Sequence, residues 1–130
     1  MHCPRCDAAT VAFSIPDDLR AHLPDDRPGA ALCTRCLAVT PVDDPPTETP
    51  DFEPVSDAFP ANDEAAVAFA CLLALLDSLV LYRAELDAVA EYAETRGADV
   101  LRALERLDAD ESVEPHLDID RRTRQLEQLI

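Results

Sequence analysis

A chain of 130 residues fills one ordinary domain or two small ones. It carries 27 acids against 11 bases, a formal net charge of −16, and every base is arginine. Aromatic residues make up 5% and tryptophan is absent, so any core must come from Leu, Ala and Val. So acidic a surface approaches nucleic acid or anionic lipid only against electrostatic repulsion.

Dense Asp without Lys reads as adaptation to a salt-rich cytoplasm, because molar salt screens self-repulsion beyond about 3 Å, with the codon bias of a GC-rich genome as the alternative. The start, Met-His-Cys-Pro, has neither a basic region nor an apolar run, so no signal peptide is expected and the compartment is read as cytoplasmic.

Residues 1–42 hold two CxxC pairs, Cys3-Pro4-Arg5-Cys6 and Cys33-Thr34-Arg35-Cys36, separated by 26 residues. The backbone of a CxxC turns tightly, so both sulfurs face one point and neighbouring amides can hydrogen-bond to them. Two such turns supply four thiolates at about 2.3 Å from one metal and close its coordination shell. Between the pairs, Val11-Ala12-Phe13-Ser14-Ile15 alternates as a strand does, and Pro16, Pro24, Pro28 and Gly29 mark turns. Ala30-Ala31-Leu32 leads into the second pair, and Leu37-Ala38-Val39-Thr40 leads out. This order resembles the zinc ribbon, the small β module of transcription factors, polymerase subunits and ribosomal proteins. Structural zinc on Cys3, Cys6, Cys33 and Cys36 is the expected metal, with iron as the alternative. A redox dithiol is disfavoured because no thioredoxin-like βαβ pattern surrounds either pair.

Ribbons often place glycine after the second cysteine of each pair, where φ is positive. Asp7 and Leu37 stand there instead. Asp tolerates that conformation and Leu does not readily, so the second turn is expected to differ in detail. Arg5 and Arg35 occupy matching places, as exposed cations for phosphate or a partner's carboxylates or as local compensation for a four-thiolate centre. His2 and His22 read as surface residues.

Residues 43–61 read as a Pro-rich acidic linker: six prolines fall within 41–60, and six acids within 43–60 meet no base. Phe52, Val55 and Phe59 could dock this segment on a neighbouring surface, or it could act as a spacer.

Residues 62–130 read as a helical domain. Asn62-Asp63-Glu64 offers a cap and Gly97 a stop, which predicts one long helix over about 63–96, some eight turns in length. Leu72, Leu75, Leu79, Tyr82, Leu86, Val89 and Ala93 line one face of it. Phe69, Leu73, Leu76 and Val80 make a flank of its first half apolar too, which suggests that a second copy covers it in a homodimer. A membrane span over 65–82 is disfavoured by Asp77 and Ser78. A short helix over about 99–108 and a last one over about 119–130 follow. Arg121, Arg122 and Arg124 cluster in the first turn of that last helix, as an anion patch or as salt-bridge partners of the long helix. Cys71 reads as packing and His116 as a loop or cap residue.

The fold class is therefore α+β: an N-terminal zinc ribbon of short antiparallel strands, a linker, and a C-terminal all-α, helical hairpin-like domain. The CPRC and CTRC pairs resemble those of a family of small zinc-ribbon proteins of halophilic archaea. So do Leu76-Asp77-Ser78-Leu79, Leu81-Tyr82-Arg83-Ala84-Glu85, Asp120-Arg121-Arg122 and Gln125-Leu126-Glu127-Gln128-Leu129. That resemblance spans nearly the whole chain except the linker. It implies a compartment and a metal but no activity.

No nucleophile stands at a recognisable spacing from a base, and two glycines cannot build a phosphate loop, so an enzyme is not expected. A zinc-binding adaptor or regulator acting through a protein partner is the favoured reading. A nucleic-acid-associated factor of transcription or translation is the alternative. Charge bears on that choice: residues 1–42 carry a net −1, residues 62–130 a net −9.

Overall fold

The structure, a computed structural model, describes residues 2–24 and 26–129. Met1, Asp25 and Ile130 lie outside the described residues, and with them one aspartate of the charge balance and the last position of the expected helix over 119–130. The architecture is α+β, with a three-stranded antiparallel sheet followed by helices. Strands β1 (Thr10–Ser14), β2 (Gly29–Cys33) and β3 (Val39–Val42) lie in the order β1-β2-β3. Thr10 pairs with Cys33, Phe13 with Ala30, and Leu32 with Val39. Phe13 and Ile15, two residues apart, are both buried, as the period of a strand requires.

A one-turn helix, α1 (Asp17–Arg20), occupies part of the stretch expected to be turns. Pro16 at its start fixes φ, and Asp17 and Asp18 complement its N-terminus. Its Leu19 is fully buried. The tyrosine hydroxyl of Tyr92 donates to Asp18 at 3.1 Å, and the Arg96 guanidinium reaches Asp18 at 3.3 Å while lying 3.4 Å over the Tyr92 ring. The end of α1 is thus tied to the helices.

The proline-rich stretch packs rather than spans. Phe52, Val55, Ser56 and Ala58 are buried. The Phe52 ring meets Phe13 edge-on at 5.5 Å and stacks on Phe59 at 4.8 Å, and Phe59 meets Phe69 edge-on at 5.0 Å. Four of the six aromatic side chains therefore form a continuous line from the sheet to the helices. Nearer the sheet, Gly29 sits so close to Pro45 and to the Phe13 carbonyl that a Cβ there would lie 2.6 Å from that oxygen. At the other end, the Ser56 hydroxyl donates to Asp110 at 2.6 Å.

The single helix expected over 63–96 is instead two, α2 (Asp63–Leu76) and α3 (Arg83–Thr95). Arg96 donates to Glu64 at 2.6 Å, whereas a continuous helix would hold those residues about 48 Å apart. The chain folds back through 77–82, where Ser78 bonds the Leu75 carbonyl and both Leu81 and Tyr82 bond the Ser78 carbonyl. No Gly or Pro marks this break. Asp77 and Ser78 are residues whose side chains compete with the helical backbone, and the antiparallel return lets α3 bury Leu86, Val89, Ala90 and Ala93 against α2.

From Ala65 to Leu76 only Ala74 of α2 is exposed. Both of its apolar sides are covered within the chain, by the sheet, the Phe52–Phe59 segment and α3, so the doubly apolar face needs no second copy to bury it. Val80 and Leu81, on the fold-back, are the large hydrophobic side chains left exposed among the described residues, at 76% and 71%. Among the described residues, no helix is long and apolar enough to cross a membrane.

Gly97, with φ at +95°, ends α3. Helix α4 (Val100–Asp108) and helix α5 (Ile119–Glu127) begin at aspartate caps, Asp99 accepting from the Arg102 amide and Asp118 from the Arg121 amide, each at 3.1 Å. Among the described residues, those buried from Phe13 through the Phe52 segment to Leu126 form one hydrophobic cluster, and the cysteine knuckles form a second.

Candidate metal centre

The first knuckle is closed by backbone bonds: the Cys3 amide donates to the Ala8 carbonyl and the Asp7 amide to the Cys3 carbonyl, both at 2.8 Å. In the second, the Cys33 amide donates to Ala38 at 2.9 Å. Amides point at the sulfurs as well, from Arg5 to Cys3 and from Arg35 and Cys36 to Cys33, each at 3.3 Å. The two knuckles are joined directly, because both the amide and the hydroxyl of Thr34 bond the Ala9 carbonyl.

The two turns take the same shape, contrary to the expectation that leucine would alter the second. Asp7 has φ at +66° and Leu37 at +64°. Left-handed backbone costs a non-glycine residue about 1–2 kcal/mol, but the Leu37 side chain is fully buried in the main core, which gains about 1.5–3 kcal/mol. Burial outweighs strain. Glycine at the two positions should therefore act with opposite sign. Asp7→Gly should stabilise the metal-loaded protein by about 0.5–1 kcal/mol, since an exposed side chain is lost and strain is relieved. Leu37→Gly should cost about 1–3 kcal/mol, since a core side chain goes with the strain. Thermal unfolding midpoints of the two variants, moving apart from the parent in opposite directions, check this.

The four sulfurs converge. Cys3 lies 3.7 Å from Cys36 and Cys6 3.4 Å from Cys33, and all four sulfur atoms fall within 4.8 Å of one another. Tetrahedral thiolates at about 2.3 Å from a metal stand about 3.8 Å apart, whereas a disulfide needs about 2.05 Å. The cysteines are accordingly free thiols, grouped closely enough that they could hold a metal ion. Burial pushes the Cys36 thiol up to about 12, and the neighbouring thiols add to it. Cys3 is also buried, but amide bonds from Arg5 and Cys6 and the adjacent thiols bring it down to about 7. Four thiolates this close need a cation between them, and zinc fits this donor set. Neither His2 nor His22, both exposed, belongs to the cluster.

One part of the centre was not anticipated from the sequence. The connection between α4 and α5 lies across the second knuckle, with the Glu114 amide donating to the Arg35 carbonyl at 2.7 Å and the His116 amide to the Cys36 carbonyl at 2.9 Å. Val113 and Leu117 are buried on either side of this strap. The signal was present as alternation, Val113, Pro115 and Leu117 at two-residue spacing between polar neighbours, within what reads otherwise as a loop.

The five candidate contact arginines have separate fates. Arg35 is 3.7 Å from Glu114, Arg122 is 3.8 Å from Asp77, and Arg124 is 3.1 Å from Asp120 on its own helix. Arg5 and Arg121 have no ion pair among the described residues. Cys71 is buried in α2, and its thiol is pushed up to about 12 by that burial, with Arg27 acting weakly the other way. It is a packing residue. His116 is half-buried beside the first knuckle.

No curated protein and no solved structure matches the chain. Residues 2–130, which take in both knuckles, the strap and every helix just described, do match a family description. The chain belongs to a family of unknown function, DUF6276.

Proposed function

We propose that this is a non-enzymatic, zinc-stabilised ribbon protein of the cytoplasm that works by binding another protein. The observation that carries the reading is the closed array of four sulfurs. Four thiolates complete a tetrahedral shell, leaving no position for the metal-bound water that hydrolytic zinc sites require. Zinc would be held by Cys3, Cys6, Cys33 and Cys36 and would supply cohesion rather than chemistry, as it does in ribbons generally.

Charge favours a protein partner over nucleic acid. Of the five arginines that could reach phosphate, three are engaged with the chain's own carboxylates. The rest of the surface is strongly acidic, at −16 for the whole chain. Purification of the tagged protein in molar KCl, with and without nuclease, tests the choice. Protein partners that survive both nuclease and high salt are the expected result. Recovery of nucleic acid, or of partners that disappear with nuclease, would replace this reading with a transcription or translation factor.

A further inference from the structure

Beside the metal centre, a cleft of about 280 Å³ opens between the first knuckle, β3 and the end of α2. Four separate segments supply its polar groups: Arg5 from the knuckle, Thr40 from β3, Ser78 from the fold-back and His116 from the strap. Leu73 and Val39 are among the apolar side chains beneath them. Asp77 is the one carboxylate in the lining, and Arg122 stands 3.8 Å from it.

We propose that this cleft binds a small organic phosphate monoester, its phosphate held by Arg5, His116, Ser78 and Thr40 and its apolar part resting on Val39 and Ala74. Arginine presents a planar fork of N–H donors that matches an oxyanion, and two hydroxyls and an imidazole N–H add further donors around it. In a chain with 27 acids, an arginine that makes no ion pair among the described residues, beside a concave, hydroxyl-lined wall, has its charge available to a ligand. Arg122 offsets the one acid that would repel the phosphate. The mixed lining argues for an ester over the bare ion, because an inorganic anion leaves the apolar floor without a partner.

The site rests on the metal reading in one respect. Arg5 sits inside the first knuckle, and His116 reaches the cleft only because the strap is bonded to Cys36 of the second. The test uses the full metal-loaded chain in KCl, titrated calorimetrically with phenyl phosphate and, separately, inorganic phosphate, with metal content measured on every sample. Phenyl phosphate should bind, and more tightly than inorganic phosphate. Arg5→Gln and His116→Gln should each weaken it roughly tenfold or more, the loss expected for a hydrogen bond to a charged group, with metal content unchanged. Tighter binding of inorganic phosphate would reassign the cleft to the free ion and overturn the ester. No binding by metal-replete protein, or equal binding by both variants, would remove the site while leaving the metal centre intact. Folded, metal-free protein that still binds phenyl phosphate through Arg5 would uphold the site and overturn the zinc reading.

Discussion

Changing Cys33 and Cys36 together to serine should abolish metal binding and cost the chain its cooperative fold. Serine is nearly isosteric but presents a hard, protonated oxygen where zinc requires a soft thiolate. Apparent metal-binding energies in zinc-finger peptides are about 10–16 kcal/mol, as large as the whole stability of a typical domain, about 5–15 kcal/mol. No local repair can offset that. Cys33 is fully buried and Cys36 nearly so, at 6% exposure, so the substituted hydroxyls would be left in a dry site, with the Arg35 and Cys36 amides aimed at position 33 alone.

The damage should also travel. Glu114 and His116 hold the strap to the carbonyls of Arg35 and Cys36, so their amides should lose hydrogen-exchange protection with the metal, although they lie far along the chain from any cysteine. Metal analysis should fall from one zinc per chain to none. Cooperative folding and strap protection that persist in the metal-free double variant would show the sulfurs to be merely packed together.

Much of this centre was legible beforehand because CxxC spacing is a covalent constraint. Two sulfurs three residues apart on a tight turn must face one point, whatever the rest of the chain does. The strands around them were legible for the same local reason, and their bounds move by only one or two residues. What escaped was long-range. The alternation of Val113, Pro115 and Leu117 hints at an extended stretch, but nothing local to Glu114 or His116 says that its partner is the second knuckle, with the carbonyls of Arg35 and Cys36.

The broken helix is the more instructive difference. The apolar stripe from Leu72 to Ala93 keeps helical spacing straight through the break, and six of its seven members are buried in the folded protein, with Tyr82 half-buried. Periodicity reports which side chains face the core, but it cannot distinguish a straight rod from one folded back on the same core. The decision lay in Asp77 and Ser78, which interrupt the apolar run and argued against a membrane span, and which equally permit a turn. Cover for the second apolar flank of α2 followed from the fold-back, together with a segment whose composition left docking and a spacer role both open.

That segment supplies the second large effect. Phe52→Ala should destabilise the whole protein by about 3–5 kcal/mol, the range for deleting a buried phenyl ring. For a chain of this size the loss should lower the unfolding midpoint by roughly 10–20 °C. The basis is position: Phe52 is 4% exposed, edge-on to Phe13 of the sheet and stacked on Phe59, which in turn abuts Phe69 of α2. Its removal opens a gap at the junction of sheet and helices, where α2 is too short of other aromatic neighbours to close it. Exposed Glu53, next in sequence, is the control, and Glu53→Ala should stay within about 0.5 kcal/mol of the parent. The shape of the transition matters as much as the midpoint. Because sheet, segment and helices share one buried cluster, parent and Phe52→Ala should each melt in a single step, followed equally by sheet and helix probes. A helical signal that kept its midpoint in Phe52→Ala would mean that residues 43–61 are a tether between independent halves. A common shift would mean that prolines and acids here fix the path of a chain whose aromatic residues knit the core.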